Sequence, residues 1–291
     1  MDNELIKVPL YTEMEEVIDF EMYIYGTKNA NEQKQDFFGK ALKRYANDIG
    51  VNATELAKLI GISKSAVNYY FNGERQAGFN TLIELCLALR LHPLRTEYLF
   101  ELTHFELRRS DPRYYVIKEY LSGCAYKKKF NLHNYQMRLP KYNFLVSDER
   151  EKVTDFEMYI YGTKNAKEQK YDFLGKALKC YADDNGVSMS KLARLTEVSK
   201  VAVNYYFSGE RQVGFNMLIA LCLALRLHPL RTEYIFELTH FELRKSDPRY
   251  YIIKEYLSGC TYEEKFNLHA CQMRLKELNL ELLISDREGG A

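Results

Sequence analysis

VNATELAKLIGISKSAVNYYFNGERQAGFNTLIELCLAL, residues 51–89, decides the fold. Leu56, Ala57 and Ile60 fall on one side of a helix, Gly61 stands where a sharp turn is needed, and Ser63 is placed to cap a second helix. Val67 and Tyr70 share the inner face of that second helix, and Phe71-Asn72-Gly73 ends it. Lys64, Ser65, Asn68, Tyr69 and Asn72 are left facing outward, a short polar face at the helix start. Tyr70 reads as core and Tyr69 as a surface aromatic.

The same pattern recurs as VSMSKLARLTEVSKVAVNYYFSGERQVGFNMLIALCLAL at residues 187–225, with Ser199 as the cap and Lys200, Val201, Asn204, Tyr205 and Ser208 outward. Phe20 matches Phe156 and Phe130 matches Phe266, an offset of 136 throughout. From Phe20 to Leu139 the copies align without a gap and agree at roughly three-quarters of positions, a period far too long for a stacked solenoid and suited to a duplicated domain. The expected organisation is an N-terminal arm (1–16), a first unit (17–140), a linker (141–152) and a second unit (153–285).

Other signals are helical. Asn29 with Glu32, and Asn165 with Glu168, have capping-box spacing before faces carrying Phe37, Leu42 and Tyr45, or Phe173, Leu178 and Tyr181. Ser110-Asp111-Pro112 and Ser246-Asp247-Pro248 predict a cap and a first-turn proline, with Gly123 and Gly259 as C-terminal glycines. Pro140 predicts a helix stop in copy one, whereas Thr261 and Glu264 predict a capping box for a helix running to about Leu283 in copy two. Copy one has Ala125 and Lys128 at those two positions. Tyr98, Leu99, Leu102, Phe105 and Leu107 have the spacing of a buried stripe or a dimer interface. Only YIY, at Tyr23 and Tyr159, has strand-like composition.

These residues closely resemble the helix-turn-helix of the Cro/lambda-repressor (XRE) family. The resemblance implies an all-α fold of two tandem lambda-repressor-like domains, each with additional C-terminal helices. It also implies that Lys64 and Ser65 read base edges, that Arg75 in the following loop reads another, and that Asn72 and Asn52 anchor phosphates. Their counterparts are Lys200, Val201, Arg211, Ser208 and Ser188. Chemistry agrees in kind, since Lys or Arg suits guanine, Asn suits adenine and Val can touch a thymine methyl. Glu197 departs from the family, standing where a glycine belongs, and predicts a remodelled turn in copy two.

Composition narrows the alternatives. With 46% hydrophobic and 28% charged residues the chain of 291 folds around a core, and Lys plus Arg (41) nearly cancel Asp plus Glu (40), so any nucleic-acid contact must be local. No signal-peptide pattern or membrane-length apolar run is present, so a cytoplasmic protein without membrane contact is expected. The six Cys lack C-x-x-C spacing and read as free thiols. His104, Cys124 and His133 recur as His240, Cys260 and His269 but match no metal-ligand or catalytic spacing, and His92 before Pro93 reads as a cap or surface residue. No cofactor, metal or enzymatic activity is expected.

The function expected is a sequence-specific, repressor-like regulator that binds double-stranded DNA with two related half-sites as a covalent pseudo-dimer, with self-association through the C-terminal helices. The competing reading is a helix-turn-helix-fold subunit that binds protein or RNA within a larger assembly, antitoxin-like or a phage-defence component. A content of 24 Tyr without Trp suits that alternative.

Overall fold

Capping and burial together set the helices of each unit, in a computed structural model that describes residues 38–108, 111, 113–143 and 174–284. The arm at 1–16, the capping boxes at Asn29 and Asn165, the YIY segments and linker residues 144–152 lie outside the described residues. The chain divides into two compact units, Met1–Ser147 and Asp148–Ala291. All the regular structure among the described residues is helical.

In the first unit α1 (Phe38–Asp48), α2 (Ala53–Ile60), α3 (Lys64–Phe71), α4 (Phe79–Ala88), α5 (Pro93–Thr103), α6 (Tyr114–Gly123) and α7 (Leu132–Asn143) follow in order. The second unit repeats them as α8 (Leu174–Asp184), α9 (Met189–Leu195), α10 (Lys200–Ser208), α11 (Phe215–Ala224), α12 (Pro229–Thr239), α13 (Tyr250–Gly259) and α14 (Leu268–Glu277). Within each unit the fourth helix is the hub: α4 packs on α2, α6 and α7, as α11 packs on α9, α13 and α14. Its composition explains this, because Leu82, Ile83, Leu85, Cys86 and Leu87 are all buried and leave little of the helix to face water. Arg95 ties α5 to α1, its guanidinium 2.7 Å from Asp48 and lying over the Tyr45 ring. Arg231, Asp184 and Tyr181 repeat the arrangement. No helix among the described residues is long and apolar enough to cross a membrane.

Leu42, Tyr45, Leu178 and Tyr181 are buried as expected, and none of the six Cys is joined in a disulfide. Several element ends differ from expectation. The α7 helix runs through Pro140, since a proline drops one helical hydrogen bond and only three residues follow it. Thr261 and Glu264 lie in the preceding turn rather than at a cap; α14 is capped by Asn267, which accepts from the Ala270 N–H, and ends at Glu277, short of Leu283. Asn131 accepts from the Asn134 N–H at the same place in unit 1. Asp111 and Asp247 act ahead of the helix they were expected to cap, each accepting from the backbone N–H and guanidinium of Arg113 or Arg249, the actual cap residues. The Asp111 carboxyl is held below its ordinary pKa by those bonds from Arg113.

Gly123 and Gly259 also differ, ending their helices without a left-handed conformation. A Cβ on Gly123 would lie 2.1 Å from the Phe130 ring, so the residue type is set by an aromatic packed on the helix backbone. The stripe from Tyr98 to Leu107 is not one helix, because His104 takes a left-handed conformation and stops α5. Tyr98 and Leu99 are buried, while Phe105 and Leu107 follow in irregular chain and are half-buried, Phe105 edge-on to Phe79.

The units diverge at their C-terminal ends. Gln272 accepts from the Leu283 N–H at 2.8 Å and donates to the Ile284 carbonyl at 3.0 Å, holding the chain after α14 so that Leu283 is buried. Glu281 of that segment reaches Asn216 and Arg249. In unit 1 Tyr135 and Glu84 stand where unit 2 has the smaller Cys271 and Ala220, and Gln136 is exposed.

His92 caps α5 but is buried, which corrects its surface reading. Its Nδ1 accepts from the Leu94 N–H at 3.3 Å, so the neutral ring carries its proton on Nε2 and donates to the Tyr126 hydroxyl at 2.7 Å. Burial, with the nearby Arg95 charge, pushes its pKa down from the ordinary 6.5 to about 3. An unfolded chain therefore binds a proton that the folded chain refuses, and the stability is complete above pH 6.5 and lost as the pH falls towards 3. Urea unfolding across that window should show the native protein losing up to about 1.4 kcal/mol more per pH unit than a His92→Asn variant. Parallel pH profiles would show that the buried ring does not titrate this way.

Candidate nucleic-acid interface

The helix-turn-helix of unit 1 begins with a capping box at the start of α2. Asn52 Oδ1 accepts from the N–H groups of Thr54 and Glu55, and Glu55 accepts in return from the Asn52 N–H at 2.8 Å. Leu56, Ala57 and Ile60 are buried, Gly61 takes the left-handed conformation at φ 74, and Ser63 Oγ accepts from the Ala66 N–H at 3.1 Å to open α3. On α3, Val67, Tyr70 and Phe71 turn inward against α1 and α2. Gly39 on α1 makes this approach attainable: a Cβ there would lie 2.4 Å from the Tyr70 carbonyl oxygen.

With that face buried, Lys64, Ser65, Asn68, Tyr69 and Asn72 are all exposed, Tyr69 at 48%. The loop that follows turns back on the helix end, the backbone N–H groups of Glu74 and Arg75 both donating to the Tyr69 carbonyl. Arg75 is exposed beside the α3 face. Asn72 Nδ2 donates to Glu74 at 3.0 Å. Gln76, not singled out in the sequence, donates to the Thr103 carbonyl at 3.3 Å and fastens this loop to α5. Its signal would have been a polar residue of long reach between two exposed loop positions and a buried Ala77.

Unit 2 presents the equivalent set. Ser188 caps α9 through the Lys191 N–H, without the reciprocal carboxylate, and Ser199 caps α10 through the Ala202 N–H. Lys200, Val201, Asn204, Tyr205, Ser208 and Arg211 are exposed, Val201 at 57%. Ser208 Oγ donates to the Tyr205 carbonyl, and the Arg211 guanidinium lies 5.7 Å from the Tyr206 ring centre. Gly175 repeats the role of Gly39, its Cβ position 2.4 Å from the Phe207 carbonyl oxygen.

Asn52 and Ser63 in unit 1, and Ser188 and Ser199 in unit 2, have their side-chain oxygens engaged in capping. A long cationic residue, a short polar residue and an amide at the start of an exposed helix match what a major groove admits. The caps sit where helix N-termini can face phosphates.

The turn in unit 2 is remodelled only slightly: α9 ends one residue earlier than α2, with Thr196, at the position of Ile60, as its C-cap. Glu197 adopts φ 54, the left-handed conformation of Gly61, and the Val198 N–H donates to Ala193 as the Ile62 N–H donates to Ala57. Burial on both sides holds the backbone in place, and Thr196 steadies the helix end by donating to the Leu192 carbonyl.

A protein-family model described as helix-turn-helix, of the XRE type, matches residues 42–94. The match runs from within α1 to the first residues of α5, so it supports the XRE-type resemblance for the first helix-turn-helix alone. No curated protein and no solved structure matches the chain.

A non-glycine residue in the left-handed region costs about 1 kcal/mol. Glu197→Gly should therefore raise the stability of unit 2 by about that amount in urea unfolding, and Gly61→Glu should lower that of unit 1 similarly. No gain from the first change would mean that Glu197 compensates its own backbone strain.

Proposed function

We propose that the protein is a sequence-specific, double-stranded DNA-binding transcription regulator, repressor-like, in which both units read DNA and act together as a covalent pseudo-dimer. The observation that carries this reading is the polar face of α3, exposed over Lys64, Ser65, Asn68 and Asn72 while Val67, Tyr70 and Phe71 are buried beneath it. The α10 face offers Lys200, Val201, Asn204 and Ser208 in the same register. Ser65 against Val201, and Asn72 against Ser208, make the half-sites related but unequal, since a methyl-seeking valine replaces a hydroxyl. Joining both readers in one chain makes the second contact intramolecular, which raises effective concentration and offsets modest grip by each. The reading places the units at 17–140 and 153–285, and the protein in the cytoplasm, with copies associating through their C-terminal helices.

The test is selection of duplexes from a random pool, followed by titration of the winner across a salt series. A two-part motif should emerge, preferred over scrambled DNA by about a thousandfold or more. Lys64→Ala combined with Lys200→Ala should then weaken specific binding by about 2–6 kcal/mol, at 1–3 per base-reading contact. Unchanged affinity in the folded double variant would move the reading face elsewhere. Absence of any enriched motif would transfer the weight to a protein or RNA partner.

A further inference from the structure

The two units keep most of their sequence, and charge changes sign between them at few positions. In the gap-free alignment from Phe20 to Leu139 there are three: Glu55 against Lys191, Lys127 against Glu263, and Lys128 against Glu264. The first is local, because Glu55 closes the α2 capping box. The other two are adjacent and run in one direction, turning the triplet Lys127-Lys128-Lys129 into Glu263-Glu264-Lys265. Just beyond the alignment the sequence reverses the same way again, with Lys141 at the position of Glu277.

Both triplets sit at one place in the fold, the connection leading into α7 or α14. The connection is firmly held. Phe130 and Phe266 are buried against Gly123 and Gly259, and Arg90 donates to the carbonyls of Cys124 at 2.9 Å and Lys128 at 3.2 Å. Lys128, Lys129 and Glu264 are exposed from this fixed backbone. One face of the next helix adds exposed apolar surface at the same position in each unit, His133 with Met137 in α7 and His269 with Met273 in α14. Met137 is 64% exposed and Met273 45%.

Reversal of sign on a connection placed alike in the two units makes the two connections complementary between copies of the chain. A two-fold axis that brings the basic connection of one copy to the acidic connection of a second must also bring the acidic connection of the first to the basic one of the second. Both contacts then pair opposite charges around the exposed methionines, whereas pairing like units would set Lys128 against Lys128. We propose that the Lys127–Lys129 connection with Met137, and the Glu263–Glu264 connection with Met273, form a reciprocal interface between two copies of this protein. It deepens the self-association proposed above by assigning its surface, and it stands whether or not the α3 and α10 faces read DNA.

The experiment is sedimentation equilibrium of the full chain without DNA, over a concentration and salt series. The native protein should form a dimer that weakens as salt rises. Lys127→Glu with Lys128→Glu, and separately Glu263→Lys with Glu264→Lys, should each weaken dimerisation by about tenfold or more, since each sets like charges together. Mixed in equal amounts, the two variants should recover a heterodimer, because each then supplies what the other lacks. A native protein that stays monomeric, variants that dimerise as tightly as the native chain, or a mixture that recovers nothing would each overturn the interface. DNA binding enters none of these readouts, so failure of the DNA reading leaves a distinct signature.

Discussion

Everything outward-facing on α3 depends on how closely α1 approaches its end. At Gly39 a single added carbon would lie 2.4 Å from the Tyr70 carbonyl, a separation that only a glycine permits. Once the backbones meet there, Val67, Tyr70 and Phe71 have only the interior to fill, and helical periodicity sends Lys64, Asn68 and Asn72 to the other side. The same contact recurs at Gly175, with the same outcome for Lys200 and Asn204. The polar face of α3 is thus the remainder of a packing solution, and its direction is set by a residue without a side chain.

The features legible in the sequence were those that depend on nearest neighbours along the helix. Gly61, Ser63, the inner Leu56, Ala57, Ile60 and Val67, and the outer Lys64 and Asn68 follow from 3.6-residue periodicity and capping chemistry within one turn. The features misread depend on contacts far along the chain. Gly123 resembles a C-terminal glycine by position, but its reason is the Phe130 ring arriving from the next connection. Thr261 and Glu264 have capping-box spacing, yet Asn267 lies closer to the packed start of α14 and takes the cap. His92 looked equally suited to surface or cap until Tyr126, 34 residues away, closed over its second nitrogen.

Glu197 shows the opposite limit, a local rule broken with only a small change, α9 ending at Leu195 where α2 runs to Ile60. Propensity alone argues for a changed turn, but the buried faces of α9 and α10 sit on the unit core and leave the connecting residue no alternative path. Tertiary burial of several apolar side chains outweighs a backbone penalty of about 1 kcal/mol, so the strain is retained where it falls. Conversely, small residues at Cys271 and Ala220 accompany a chain end folded back by Gln272, where unit 1 fills its corresponding positions with Tyr135 and Glu84.

Such divergence is distributed by physical role. Positions that hold α3 in place, Gly39, Val67 and Tyr70, are identical in the two units, and so are the ion-pair residues Asp48 and Arg95. Changes collect where a side chain faces water: Ser65 to Val201, Asn72 to Ser208, and the lysines of the α6–α7 connection to glutamates. A surface position can change charge at little cost to folding, since its partner is solvent, whereas a buried one must change together with its neighbours. When two copies of a fold are joined in one chain, each exposed face can therefore be altered without altering its twin, which a symmetric assembly of identical subunits does not permit. The retained scaffold and the altered faces are what that freedom produces: one geometry held by packing, presented twice with different chemistry.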